Sequence, residues 1–146
     1  MSTFEIDVDL TEVMSALDAY GEMATESFTR SVAQAGAQVF YDTVKHNVPR
    51  ETKPRMYKGK PVAIWLLSRS IYQAWSRKNS PNGVAEYHVS WNHQKAPHGH
   101  NVEFGHGGPR PAKAVGFMRR SYESAHVPAM DAMMNRFDEE LAERGL

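Results

Sequence analysis

Apolar residues recur at steps of three and four near both ends of the chain and alternate strictly in between. This change of period restricts the fold to one that combines helices with a β-sheet. The first helical stripe runs through Val13, Leu17, Tyr20, Ala24, Phe28, Val32, Ala35 and Val39. It predicts a long helix from Thr11 to about Lys45, ended by Asn47-Val48-Pro49 because the residue before proline is driven out of the α region. Gly21 and Gly36 lie inside it, each costing ~1 kcal/mol relative to alanine, so a bend or a close helix contact is expected there. The second stripe, from Phe117, uses Tyr122, Ala125, Ala129, Met133 or Met134, Phe137 and Leu141, with Pro128 either starting or kinking that helix. Met130, Met133 and Met134 lie near one face of it, suited to packing against the first helix or another copy.

Phe4 to Leu10 alternates apolar and acidic residues, the signature of a strand with one buried face that could pair at a sheet edge. Ser70 to Trp75 reads as a second strand and Val84 to Trp91 as its hairpin partner, joined through Asn79-Ser80-Pro81-Asn82-Gly83. Tyr87, Val89 and Trp91 share one face of that partner, and Glu86, His88 and Ser90 the other. Pro49 to Pro61 reads as a polar, basic loop; Ala63 to Leu67 and Ala96 to Phe104 suit short helices; Gly105 to Gly116 is a loop with four glycines and two prolines. The expected fold class is α+β: a long N-terminal helix and a C-terminal helix packed on a small antiparallel β-sheet. One domain over 1–146 is expected, with 1–10 as an N-terminal strand or arm and 49–61 as a basic loop.

At 146 residues such a domain can bury roughly 70% of the surface its unfolded chain exposes, so no staple is needed, and the absence of cysteine excludes thiol chemistry and disulfide frameworks. The longest uncharged apolar stretch, Val62 to Leu67, is far short of the ~20 residues of a membrane helix, and Met1–Leu10 carries acids where a signal peptide has basic residues. A soluble, non-exported chain is expected. Formal charge is zero in sum but strongly segregated: −6 over residues 1–30, +11 over 45–120 and −3 over 131–146. Such asymmetry suits either an anionic partner for the middle or acidic ends that meet a basic middle, within the chain or on a neighbouring copy.

No motif names a reaction. His93, His98, His100 and His106 lie near Glu103, a residue set able to bind a divalent metal, but their spacing fits no recognised ligand frame. Ser90-Trp91-Asn92-His93 and His100-Asn101 also resemble parts of small metal-dependent His/Asn nucleases, which need a positioned base and a metal ligand on adjacent elements. Gly105-His106-Gly107-Gly108 lacks the Lys-Ser/Thr of a phosphate-binding loop. Arg50, Lys53, Arg55, Lys58 and Lys60, with Tyr57 interleaved, could lie on a phosphate backbone, remain solvated, or dock onto acids of an adjacent subunit. Tyr72, Trp75, Tyr87 and Trp91 suit cross-strand pairs better than a base-stacking platform. A nuclease or a basic DNA-binding accessory protein is thus the alternative to a structural role.

One ordered set of features spans most of the chain. Ala35-Gly36-Ala37 and Asn47-Val48-Pro49 are followed by Leu67-Ser68-Arg69-Ser70-Ile71, a hairpin, Val102-Glu103-Phe104-Gly105, and Phe117-Met118-Arg119 before an acidic final helix. This order resembles the tail-completion or neck proteins of tailed bacteriophages, the head–tail joining family with Asn-Val-Pro, Glu-Phe-Gly-Thr and Pro-Phe-Leu/Met-Arg-Pro signatures. Here His106 stands in place of the threonine, Gly116 in place of the first proline and Arg120 in place of the last. The basic loop is also longer than the family's usual turn.

The resemblance implies a non-enzymatic structural virion protein, a homo-oligomeric ring, six-fold by resemblance, between the portal-side head connector and the tail tube or tail terminator. It would leave a channel for DNA that passes without sequence-specific binding. It implies no cofactor, no metal, no catalytic residue and no membrane, with assembly in the host cytoplasm and residence at the head–tail interface of the virion. Glu103, Phe104 as an apolar anchor and Gly105 as a permissive turn would shape the core near the interface. Phe117 and Met118 would seat the start of the final helix, and Arg119 would be available to a carboxylate.

Overall fold

A computed structural model describes residues 3–9, 21–50, 55–62, 65–81, 83–109 and 111–145. Its elements are β1 (Phe4–Asp9), α1 (Gly21–Asn47), β2 (Arg55–Tyr57), β3 (Lys60–Val62), α2 (Leu66–Arg69), β4 (Ile71–Trp75), β5 (Val84–Trp91), α3 (Gly99–Phe104) and α4 (Phe117–Glu143). The class is α+β, as the change of period requires. The expected helix start at Thr11, with Val13, Leu17 and Tyr20, lies outside the described residues.

The sheet is antiparallel with order β1-β5-β4, so the N-terminal strand does form an edge. The register Phe4↔Val89, Ile6↔Tyr87 and Val8↔Ala85 on one side, and Ile71↔Trp91 on the other, puts the apolar members of all three strands on one face. The opposite face of β5 is less open than simple alternation predicts. Glu86 and Ser90 are buried, the first held by Asn79 (Nδ2 to Oε1, 2.8 Å) and His88, the second near Thr3 (Oγ1 to Oγ, 3.2 Å). As the central strand, β5 has neighbours on both sides, and their side chains cover its polar residues.

α1 lies on the apolar face of the sheet, and α4 lies chiefly against α1. Being covered from two directions broadens the buried surface of α1. Val32, Ala33, Ala37, Phe40 and Val44 are core, whereas Ala35 and Val39 of the expected stripe are only half-buried. At Gly36 the two helices approach closely: a β-carbon there would lie 2.5 Å from Met133 Sδ and 3.7 Å from the Ala129 carbonyl. The close helix contact expected at this glycine is present. Phe28 meets Phe137 edge-on at 5.4 Å, and Phe4, Phe40 and Tyr122 form a second aromatic cluster. Full burial of one such side chain contributes about 1.5–3 kcal/mol.

The far end of α4 is pinned electrostatically. Buried Glu140 accepts from Arg136 at 2.5 Å and from Arg144 at 3.1 Å, and Arg136 Nε donates to Ser31 Oγ of α1 at 2.6 Å. Burial pushes the Glu140 carboxyl up, but Ser31, Arg144 and Arg136 together hold it below its ordinary value.

Two expectations are corrected. Pro128 does not start the last helix, which begins eleven residues earlier at Phe117 and runs through it. The segment read as a basic loop contains the short hairpin β2–β3, closed by Lys58 (φ 51°) and Gly59 (φ 74°). Positive φ at both central residues defines a type I′ turn, whose hand matches the twist of paired strands.

Candidate functional site

The signature segments converge at the start of α4. Gly116, with φ 63°, precedes the helix and offers no side-chain cap, leaving the first N–H groups of Phe117-Met118-Arg119 to find partners elsewhere. Glu103 provides them from fifteen residues upstream. Its carboxylate accepts the Met118 N–H at 2.8 Å and the Arg119 N–H at 3.1 Å, and the residue is 3% exposed. A buried anion there is stabilised by both hydrogen bonds and the positive end of the helix dipole. Around it, Val115 N donates to Val102 O and Gly116 N to Glu103 O, which fixes α3 against the entry to α4. Gly105 turns with φ 75°, and a β-carbon there would sit 2.8 Å from the Ala112 carbonyl, so no larger residue fits.

Asn47-Val48-Pro49 joins the same knot. Asn47 Nδ2 donates to Ser121 Oγ at 3.1 Å, Ser121 Oγ donates to the Phe117 carbonyl at 2.5 Å, and Val48 is buried. Phe117 and Met118 are fully buried, Phe117 packing on Trp91 at 5.7 Å. Both side chains place the first turn of the final helix in the core. Phe104 does not act as a core anchor: it is 52% exposed and lies against His100, because α3 turns that side outward once Glu103 faces in. Arg119 is exposed and pairs loosely with Glu123 at 3.9 Å. Ser121 was not singled out by sequence, since its role depends on a partner 74 residues away.

Lys58 and Lys60 are exposed on the hairpin, and the side chain of Arg55 and the whole of Lys53 lie outside the described residues. Arg50 donates to the Lys45 carbonyl at 3.2 Å and lies 5.8 Å from the Trp65 ring. Trp65 holds a left-handed backbone (φ 63°), uncommon for a bulky residue, and is 46% exposed. It edges a cavity of about 360 Å³ whose lining includes apolar Leu66, Val102 and Val115 and polar His98, His106 and Lys113.

The histidine–carboxylate set does not assemble. Glu103 is occupied by the helix start, His93 lies tilted against Trp91 and His100 against Phe104, and His106 bonds the Gly107 carbonyl. Among the described residues no three His, Asp or Glu side chains form a group able to hold a metal ion. Asn92 caps its own turn, accepting from the Gln94 and Lys95 N–H groups at 3.0 Å.

The outer side of α4 carries a second notable surface. Met133 is packed on Gly36, but Val127, Met130 and Met134 are 56%, 61% and 65% exposed. No described helix is long and apolar enough to cross a membrane. The model of a family described as Bacteriophage HK97-gp10, putative tail-component, matches residues 11–105, a span that includes Asn47-Val48-Pro49 and closes on Gly105. No curated protein and no solved structure matches the chain.

Proposed function

The chain belongs to the HK97-gp10-like family of bacteriophage tail components, and we propose that it is a ring-forming neck or tail-completion subunit joining the head connector to the tail. The family is one of structural components, not of enzymes. The single observation that carries the structural reading is the Glu103 cap. The one buried carboxylate within the signature holds the first turn of α4 in place and takes no part in a cleft with a base or nucleophile. Head and tail transmit DNA through the joint, so a subunit here must form a closed cycle around a channel. Closed cycles of one chain arise from a heterologous interface that repeats until it meets itself. Segregated charge, with acidic termini and a basic middle, supplies unlike faces for such an interface. In this reading the ring has six copies, contacts portal-side connector proteins on one side and tail tube or terminator proteins on the other, and lets DNA pass without reading its sequence.

The test is assembly in a phage from which this chain is deleted. Filled heads and separate tails that fail to join, restored by adding the purified chain, are the expected result. Normal joined particles without it would overturn the reading.

A further inference from the structure

We infer that the ring contact is made by the outer stripe of α4 of one copy seated in the cavity beside Trp65 of the next. This inference rests on the ring reading above and names the surfaces that would close it. Val127, Met130 and Met134 are spaced i, i+3 and i+7, the pattern by which a helix lays an apolar edge into a groove. Exposed acids border that edge: Glu123 and Asp131 lie four residues either side of Val127, and Asp138 four beyond Met134. The cavity is the converse, lined by apolar Leu66, Val102 and Val115 together with Lys113, and the Arg50 guanidinium lies 5.8 Å from the Trp65 ring at its edge. At about 360 Å³ it has room for methionine side chains, whose unbranched thioethers adapt to irregular surfaces.

A second copy, not the same copy, must supply the stripe. Val115 lines the cavity immediately before α4 begins, whereas Met130 and Met134 lie about 20–25 Å farther along that helix at 1.5 Å per residue. The two surfaces on one molecule are therefore separate and unlike, which makes the contact heterologous and gives it the capacity to close a ring. The left-handed Trp65 backbone marks the cavity edge as a place where the fold holds an unfavourable conformation, as recognition sites commonly do.

Two double variants separate the surfaces: Met130→Glu with Met134→Glu for the stripe, and Trp65→Ala with Lys113→Glu for the cavity. All four residues are exposed, and far-UV circular dichroism checks that each variant is folded. Native mass spectrometry of the full chain should show each variant assembling only at concentrations at least about tenfold higher than wild type, the factor that corresponds to 1.4 kcal/mol. Mixed together, the two variants retain one intact surface each, so they should form one-to-one heterodimers that do not grow. Asp131→Lys should partly restore assembly to a Lys113→Glu chain. If wild type forms rings and both variants do so equally well, the interface lies elsewhere and this inference fails while the ring reading stands. If the stripe variant fails but the cavity variant assembles normally, the stripe has another partner and the inference also fails. A wild type that stays monomeric at every concentration, and in the presence of connector and tail, overturns the ring reading and this contact with it.

Discussion

The two sides of α4 are built from similar residues and end in opposite situations. Inward, Ala125 and Ala129 are buried and Met133 lies so close to Gly36 that a β-carbon there would press on its thioether; outward, Val127, Met130 and Met134 are more than half exposed. The difference teaches that helical periodicity reports a helix, while only the neighbouring element decides which stripe becomes core and which is left for a partner.

The largest expected effect falls at the entry to the inward side. Glu103→Ala removes the long-range cap and leaves the Met118 and Arg119 N–H groups without acceptors at a buried site, at a cost of about 3 kcal/mol in chemical denaturation. Glu103→Gln, which keeps one acceptor, should recover part of that loss. If Glu103→Ala left stability unchanged, the convergence of the signature segments would have no energetic meaning.

Next, Gly36→Leu forces α1 and α4 apart and should cost about 2 kcal/mol as overpacking, whereas Gly36→Ala meets only the movable end of Met133 and should change stability little. Outward substitutions provide the contrast. Met130→Glu with Met134→Glu should change monomer stability by less than about 0.5 kcal/mol, because both side chains are already in water. A large destabilisation there would mean that the two sides are not distinct.

The smaller effects depend on pH. Glu140 is held below its ordinary value, so its contribution is complete at neutral pH and is lost as pH falls through that lowered value; Glu140→Gln should flatten stability in this acid range. Asp7 behaves oppositely. Burial first, then its hydrogen bond to Glu86 and repulsion from Glu86 and Glu5, raise it, so protonation favours the folded pairing of β1 with β5 and that support is lost as pH rises through the raised value. Glu86 is held low by Asn79 and His88. Asp7→Asn should therefore slightly protect β1 amides from hydrogen exchange at neutral pH.

Strands β1, β4 and β5 were legible because alternation over five to eight residues, with a proline- and glycine-bearing turn, leaves one compatible pairing. The close contact at Gly36 was legible for a similar reason, since a glycine inside a helix is costly unless something approaches it. β2–β3 was not, because strands of three residues carry no period and Lys58 is an unusual occupant of a left-handed turn position. The signature gave the right segments without their reason: that Glu103 faces the helix start, and Phe104 therefore faces water, follows only from the path of the loop between them. The cavity beside Trp65 draws on four separated segments, which no local pattern could have joined.

The central claim, that this chain closes a ring at the joint of head and tail, is tested most directly by electron cryomicroscopy of assembled particles. The account predicts a six-membered ring between connector and tail, with α4 of each copy lying against the Trp65 cavity of its neighbour and DNA free to pass through the middle. Density for the chain at any other place in the particle, or as isolated single copies at the junction, would contradict it.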